Sequence, residues 1–255
     1  MAWGSLWGVD TVARANTSPN AGTQTLYELV TSYYGRAPFF WGRYLNGVPQ
    51  PLDVAEVNFL LNDKYSQLLP IYVAQNMAGG KSGGQTDAND AISLIENLQN
   101  QTGTQLEATI FVDMEEGDRG GATQAEITGY LEGWSETIAG SVRFSSGIYY
   151  PTDCGNSSPW GCAFKAALSN TDVANSVIYS PELEPGCSNP LGPDGPPVRP
   201  CCNNTYYGDA GKSGVWRYAE SCGPFVCYNP TTGTYDGPCV DQDQVNDATT
   251  GLVLL

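Results

Sequence analysis

This chain of 255 residues carries 27 acidic side chains against 11 basic ones, and its net charge of −16 argues against a nucleic-acid partner, whose phosphates must be neutralised by Lys and Arg. The same charge removes long-range attraction to anionic membranes or cell walls, whereas neutral or cationic polysaccharides fit it. No apolar run approaches the roughly 18 residues of a membrane span, and 41% hydrophobic content over a length near the roughly 250 residues typical of an α/β barrel supports one sizeable core.

The N-terminal MAWGSLWGVD has no basic segment leading into a long apolar one, so no signal peptide is read in this chain. Leu6 to Ala13, LWGVDTVA, is the first strand candidate. A polar loop follows, then TQTLYELVTSYYG, a helix ending at Gly35. Pro38 to Leu45, PFFWGRYL, is the second strand. The next helix starts from Asp53, a capping residue with Glu56 in capping-box spacing. Leu68 to Ala74, LLPIYVA, is the third strand. GGKSGGQ at 79–85 is expected as a flexible loop, and the following helix is expected from Asp87, with Ala91, Leu94, Ile95 and Leu98 at helical spacing.

The fourth strand, ATIFVDMEE at 108–116, is the most informative stretch. Its apolar Ile110, Phe111 and Val112 end in Asp113, Glu115 and Glu116. A buried strand that finishes in carboxylates is how a parallel barrel delivers acids to its mouth. Asp113 and Glu115 leave the same face of an extended strand, with Cα atoms roughly 7 Å apart. Two neighbouring carboxylates suit acid-catalysed glycoside cleavage, one donating a proton and the other stabilising developing positive charge. The competing reading is a strand that simply ends in solvent.

Thr123 to Ile138 is helical, with Thr123 and Glu126 in capping-box spacing. Ser145 to Tyr150, SSGIYY, is the fifth strand. Pro159 to Leu168 is a short helix, and Ser176 to Ser180, SVIYS, is the sixth strand. The Pro/Gly/Cys-rich excursion 181–214 breaks the pattern. Gly214 to Ala219, GVWRYA, is the seventh strand, Cys222 to Cys239 a hairpin, and Val240 to Val245, VDQDQV, the eighth. Strands alternating with helices argue for an irregular (β/α)8 TIM-type barrel, one domain over residues 1–255, with closing strands that are irregular or partly antiparallel. No Gly-rich phosphate loop follows the first strand, and no cofactor is expected.

All eight cysteines lie between 154 and 239, in loop-rich sequence, which suggests disulfide-stapled C-terminal loops, an oxidising compartment and a secreted mature form. With no His and no pair of CxxC motifs, no metal site is expected. Asn16, Asn100, Asn156 and Asn203 head glycosylation sequons that chance alone could supply, so the glycoprotein reading is weakly founded. With so few basic residues, a strand-borne Arg such as Arg43 or Arg217 is expected to pair with an acid, a substrate contact being the alternative for Arg43. Trp41, Tyr72, Tyr149, Trp216 and Tyr218 are either sugar-stacking faces or core. Asp241 and Asp243 share a strand face, and the expectation is that one points inward and one to solvent rather than both holding a cation.

The order of GVD at 8–10, VDMEE, SGIYY at 146–150, GVWRYA and VDQD at 240–243 resembles family 25 glycoside hydrolases, which are lysozymes (muramidases). Gly42-Arg43-Tyr44-Leu45 and Pro70-Ile71-Tyr72 resemble more closely an uncharacterised glycoside-hydrolase-like domain family related to them. The resemblance implies Glu115 as general acid, Asp113 as its partner toward the substrate N-acetyl group, and Asp10 and Asp241 as supporting acids. Tyr44, Tyr72, Tyr149, Trp216 and Tyr218 are the candidate substrate contacts. It implies hydrolysis, retaining and substrate-assisted, of β-1,4 bonds in an N-acetylhexosamine polymer of the peptidoglycan type. Two alternatives stay open: a catalytically silent barrel that binds glycan or serves a structural role, and a chitinase-like hydrolase, whose upstream acids are replaced here by Ile110, Phe111 and Val112. Oligomeric state is not legible.

Overall fold

The computed structural model describes residues 6–19, 23–105, 107–114, 120–149, 159–180, 213–225, 228–229, 234–235 and 237–245. Its centre is a closed barrel of eight strands: β1 (Leu6–Thr11), β2 (Phe40–Tyr44), β3 (Gln67–Val73), β4 (Ala108–Asp113), β5 (Phe144–Tyr149), β6 (Val177–Ser180), β7 (Ser213–Ala219) and, closing against β1, β10 (Val240–Val245). A hairpin of β8 (Tyr228–Asn229) and β9 (Thr234–Tyr235) stands apart. Strands β1 to β7 run parallel to their neighbours, whereas β10 is antiparallel to both β7 and β1. The architecture is therefore a mixed α/β strand barrel and departs from a regular (β/α)8 barrel at its closing strand. That reversal is consistent with the connection from β7 to β10, whose described elements are a 3-10 turn and a hairpin, not a crossover helix.

Helices fill the crossovers from β1 through β6: α1 (Leu26–Tyr34), α2 (Val54–Asn58), α3 (Gly80–Thr102), α4 (Gln124–Ala139), α5 (Pro159–Ala167) and α6 (Thr171–Asn175). Thr25 and Glu28 form a full capping box on α1, which ends at Gly35 in the left-handed conformation (φ 72°). Thr123 and Glu126 do the same for α4. On α2 only half the expected box forms. Asp53 accepts from the Glu56 N–H, but the Glu56 carboxylate turns instead to Arg43 Nε at 2.8 Å and the Ala15 N–H at 2.7 Å. Arg43 thus finds the acidic partner expected of it, fully buried on the outer side of β2.

The stretch 79–85 is not a flexible loop. α3 begins at Gly80, and Asp87 lies inside the helix rather than at its start. Its glycines serve helix packing. A Cβ on Gly84 would come within 2.8 Å of the Trp134 N on α4, so the two helices approach too closely for a side chain. Asp87, fully buried, accepts from Gln75 N (2.8 Å), Asn76 Nδ2 (2.6 Å) and Tyr130 Oη (2.6 Å), locking the turn after β3 to α3 and α4.

Two apolar layers result. Trp7, Val9, Trp41, Tyr72, Ile110, Val112, Trp216 and Tyr218 pack between strands and helices, while Phe40, Tyr44, Leu69, Ile71, Phe111, Tyr149, Val177, Tyr179, Val215 and Val245 fill the barrel. Strand alternation sorts residues between these layers. Proline is unusual inside a sheet; the ladder from β3 to β4 begins at Ile71, just past Pro70. Among the described cysteines, Cys162 is free and exposed, and Cys222 and Cys239 are disulfide-bonded. Cys154, Cys187, Cys201, Cys202 and Cys227, and the sequons at Asn156 and Asn203, lie outside the described residues. Among the described residues no helix is long and apolar enough to cross a membrane.

Candidate active site

The C-terminal ends of the parallel strands form the mouth of the barrel, and the inward parity of each strand decides which residues meet there. Asp10, the penultimate residue of β1, faces Asp241 across the antiparallel ladder to β10. Asp113 ends β4 beside Val73 of β3 and Tyr149 of β5. Tyr44 shares the inner layer with Tyr149. Gly42, the partner of Asp10 on β2, leaves the necessary room, because a Cβ there would lie 2.5 Å from the Asp10 Cβ.

The cation among these acids is Arg217. Its Nη2 lies 2.7 Å from Asp10 Oδ1 and 2.8 Å from Oδ2, its Nε 3.1 Å from Oδ2, and its Nη1 3.2 Å from Asp241 Oδ2. The guanidinium carbon sits 4.9 Å from the centroid of the Tyr149 ring, a cation–π distance. Burial opposes the charge of Arg217, and Asp10, Tyr149 and Asp241 outweigh it, so its pKa is held well above the usual value. Alternation along β7 from Val215 turns Arg217 inward, and the strand bulges just beyond it. Gln242 pairs with Ala219 and Asp243 with Arg217, so Tyr218 is the extra residue and both Tyr218 and Ala219 pack outward.

Asp241 also accepts from the Ser221 N–H at 2.9 Å. Burial, and then the charges of Asp10 and Glu220, push its carboxyl up to about 7, against the pull of Arg217. Ser221 (φ 51°) sits in the left-handed region beside Asp241, and Cys239 (φ 46°) two positions before it in the chain does too. Such strain costs roughly 1–3 kcal/mol per residue and persists only where surroundings over-determine it. Asp243 does not point to solvent. Both it and Asp241 face the barrel interior, and Asp243 is fully buried one layer deeper. Burial and then the charge of Asp10 hold its carboxyl well above the ordinary range.

The structure therefore brings Asp10, Asp113, Asp241, Tyr44 and Tyr149 to one end of the barrel interior. It does not bring Tyr72, Trp216 or Tyr218, which pack in the outer layer at 3% exposure or less, because their strand positions have the opposite parity. Glu115, the candidate general acid, lies outside the described residues, two positions beyond Asp113. Sequence reasoning missed Tyr179, which bonds both Asp10 and Asp243 at 2.6 Å. Strand parity puts it on the same face as Val177 of β6, but only the closed barrel shows that face to be the interior. Among the described residues no group of three or more His, Cys, Asp or Glu side chains could hold a metal ion.

No curated protein matches the chain significantly. Solved structures do match in fold. An uncharacterized protein of B. stearothermophilus is 23% identical, with 96% of this chain and 98% of that chain covered and a TM-score of 0.69. The Tat-secreted protein Rv2525c of Mycobacterium tuberculosis, solved with HEPES, is 14% identical over 98% of this chain and 99% of that chain, with a TM-score of 0.51. The spore cortex lytic enzyme SleM of Clostridium perfringens is 10% identical, covering 97% of this chain and 69% of that chain, with a TM-score of 0.59. Identities this low establish a shared fold. A family model, by contrast, matches residues 39–179, from the start of β2 through the Tyr179 of β6. The match takes in the Gly-Arg-Tyr-Leu, Pro-Ile-Tyr and Val-Asp-Met-Glu-Glu motifs, and by it the chain belongs to the Rv2525c-like, glycoside hydrolase-like domain family.

Proposed function

We propose that this protein is a secreted glycoside hydrolase that cleaves β-1,4 bonds in an N-acetylhexosamine polymer of the peptidoglycan type. The observation that carries the reading is the convergence of Asp10, Asp113 and Asp241 at the end of the barrel where parallel-barrel enzymes build their sites. Membership of a glycoside hydrolase-like family supports it. So does the shared fold with SleM, a spore cortex lytic enzyme.

In this reading Glu115 is the acid/base that protonates the leaving oxygen. The substrate N-acetyl oxygen attacks the anomeric carbon, with configuration retained, and Asp113 orients and stabilises the charged N-acetyl group. Asp10 and Asp241 act at one remove, because their carboxylates are engaged with Arg217; they are positioning residues. Of the candidate aromatic contacts, Tyr44 and Tyr149, which share the inner layer, are the ones this reading assigns to the sugar. The disulfide-bonded Cys222 and Cys239 support passage through an oxidising compartment, and kinship in fold with a Tat-secreted protein supports export. Residues 1–255 act as one domain.

A specific observation favours a second reading, a catalytically silent barrel that binds glycan or serves in assembly. Asp10, Asp113, Tyr44 and Tyr149 are each at most 8% exposed, and Asp10 is salt-bridged. Reducing-sugar release from purified peptidoglycan and from chitin, between about pH 3 and 7, decides between them. Release by the parent and not by Glu115→Gln establishes the glycosidase, and the polymer cleaved names its class. No release from either polymer by folded protein overturns it in favour of the silent barrel.

A further inference from the structure

Two contacts inside the barrel need one more hydrogen than ionised side chains supply. Tyr179 Oη lies 2.6 Å from Asp10 Oδ2 and 2.6 Å from Asp243 Oδ1. Oxygens approach that closely only with a hydrogen between them, so two hydrogens are required and the Tyr179 hydroxyl carries one. Asp10 is a poor source for the second, since both its oxygens already accept from Arg217. We infer that Asp243 is a neutral carboxylic acid in the folded protein and donates the first bond of a chain, Asp243 to Tyr179 to Asp10, that holds Asp10 and through it Arg217 at the barrel mouth.

The surroundings of Asp243 agree. It is fully buried, and its Oδ2 has no hydrogen-bond partner among the described residues. A buried neutral carboxyl tolerates that at far lower cost than a carboxylate would. The ionisable groups around it are Asp10 on β1, Tyr179 on β6, Arg217 on β7 and Asp241 on β10 itself, with Tyr149 of β5 packed edge-on against Tyr179 at 4.8 Å between ring centroids. Arg217 favours the charged form; burial and the nearby acids oppose it. From β4, Phe111 packs on the Tyr179 ring and contributes no charge. Arg217 is already bonded to Asp10 and Asp241, with Nε and both terminal nitrogens engaged.

Asp243 and Tyr179 are thus positioning residues, and that role rests on the mouth being the functional site. The proton itself does not, which keeps the two ideas separable. Difference infrared spectroscopy on the full chain tests it, at about pH 8.5, above the point where Asp241 ionises. The expected result is a protonated-carboxyl C=O band in the parent that shifts in D2O and vanishes in Asp243→Asn, whose amide still donates to Tyr179. In Tyr179→Phe the band persists but moves to higher frequency, because the acceptor has gone. A parent with no such band overturns the inference, as does a band that survives Asp243→Asn or ignores Tyr179→Phe. If Tyr179→Phe does not fold, the comparison of parent with Asp243→Asn decides alone. A barrel that releases no sugar would still show the band, so failure of the glycosidase reading and failure of this one are told apart.

Discussion

Replacing Arg217 with Met is the sharpest perturbation of the barrel interior. The side chain is 7% exposed, that of Asp10 2% and that of Asp241 11%. Met roughly fills the volume but leaves Asp10 without its bidentate partner and Asp241 without its cation. Removing one member of a buried ion pair typically costs about 3–5 kcal/mol, because the other charge stays buried and unpaired. At roughly 2–4 °C per kcal/mol for a chain of this size, the melting temperature falls by about 6–20 °C. The loss also depends on pH, with a definite sign. Folded Asp241 is raised to about 7 and Asp243 well above the ordinary carboxylate range, so the folded chain binds more protons than the unfolded chain from that range up to at least about 7. Stability therefore falls as pH rises through that window. Without the guanidinium the acids rise further, so the gap between parent and Arg217→Met widens from acid to neutral pH. Urea unfolding at about pH 5 and about pH 8, with Asp10→Asn and the double variant completing a cycle, measures both the gap and the coupling. A gap below about 1 kcal/mol, or one equal at the two pH values, would refute the reasoning.

Asp241→Asn removes one of the two acids that make the parent less stable as pH rises from about 4 to about 7; the ceiling on its contribution is about 4 kcal/mol, and urea titrations across that window should show a shallower slope than the parent. Gly84→Ala reverses the usual helix rule: alanine normally favours a helix by up to about 1 kcal/mol, but here its Cβ meets the backbone of α4, so thermal melts should show a loss of about 1–3 kcal/mol, and a stabilised variant would sink the close-packing account. Thr123→Ala breaks the α4 capping box and should cost about 1 kcal/mol by the same assay, with Thr123→Ser recovering most of it; equal melting of all three chains would show the cap to be idle.

What could be read from the sequence alone is what is encoded locally. The positions of all eight barrel strands, the cap at Thr123 and the carboxylate ending of β4 follow from apolar runs, breaker residues and capping spacing within a few residues. The common face of Asp241 and Asp243 follows from strand parity. Other features required neighbours distant in sequence. Both faces of a barrel strand are buried, so alternation shows that Tyr72 and Trp216 lie opposite Ile71 and Arg217 but not which side is the interior. The β7 bulge that sends both Tyr218 and Ala219 outward has no marker in GVWRYA. GGKSGGQ reads as a loop by composition, yet α3 begins at Gly80, and the glycine at 84 answers to α4, which comes too close for any Cβ there. Above all, the reversal of β10 sets Asp241 opposite Asp10 and Asp243 beneath Tyr179, and that reversal belongs to barrel closure: it is decided by pairing between the two ends of the chain, which local propensity cannot encode.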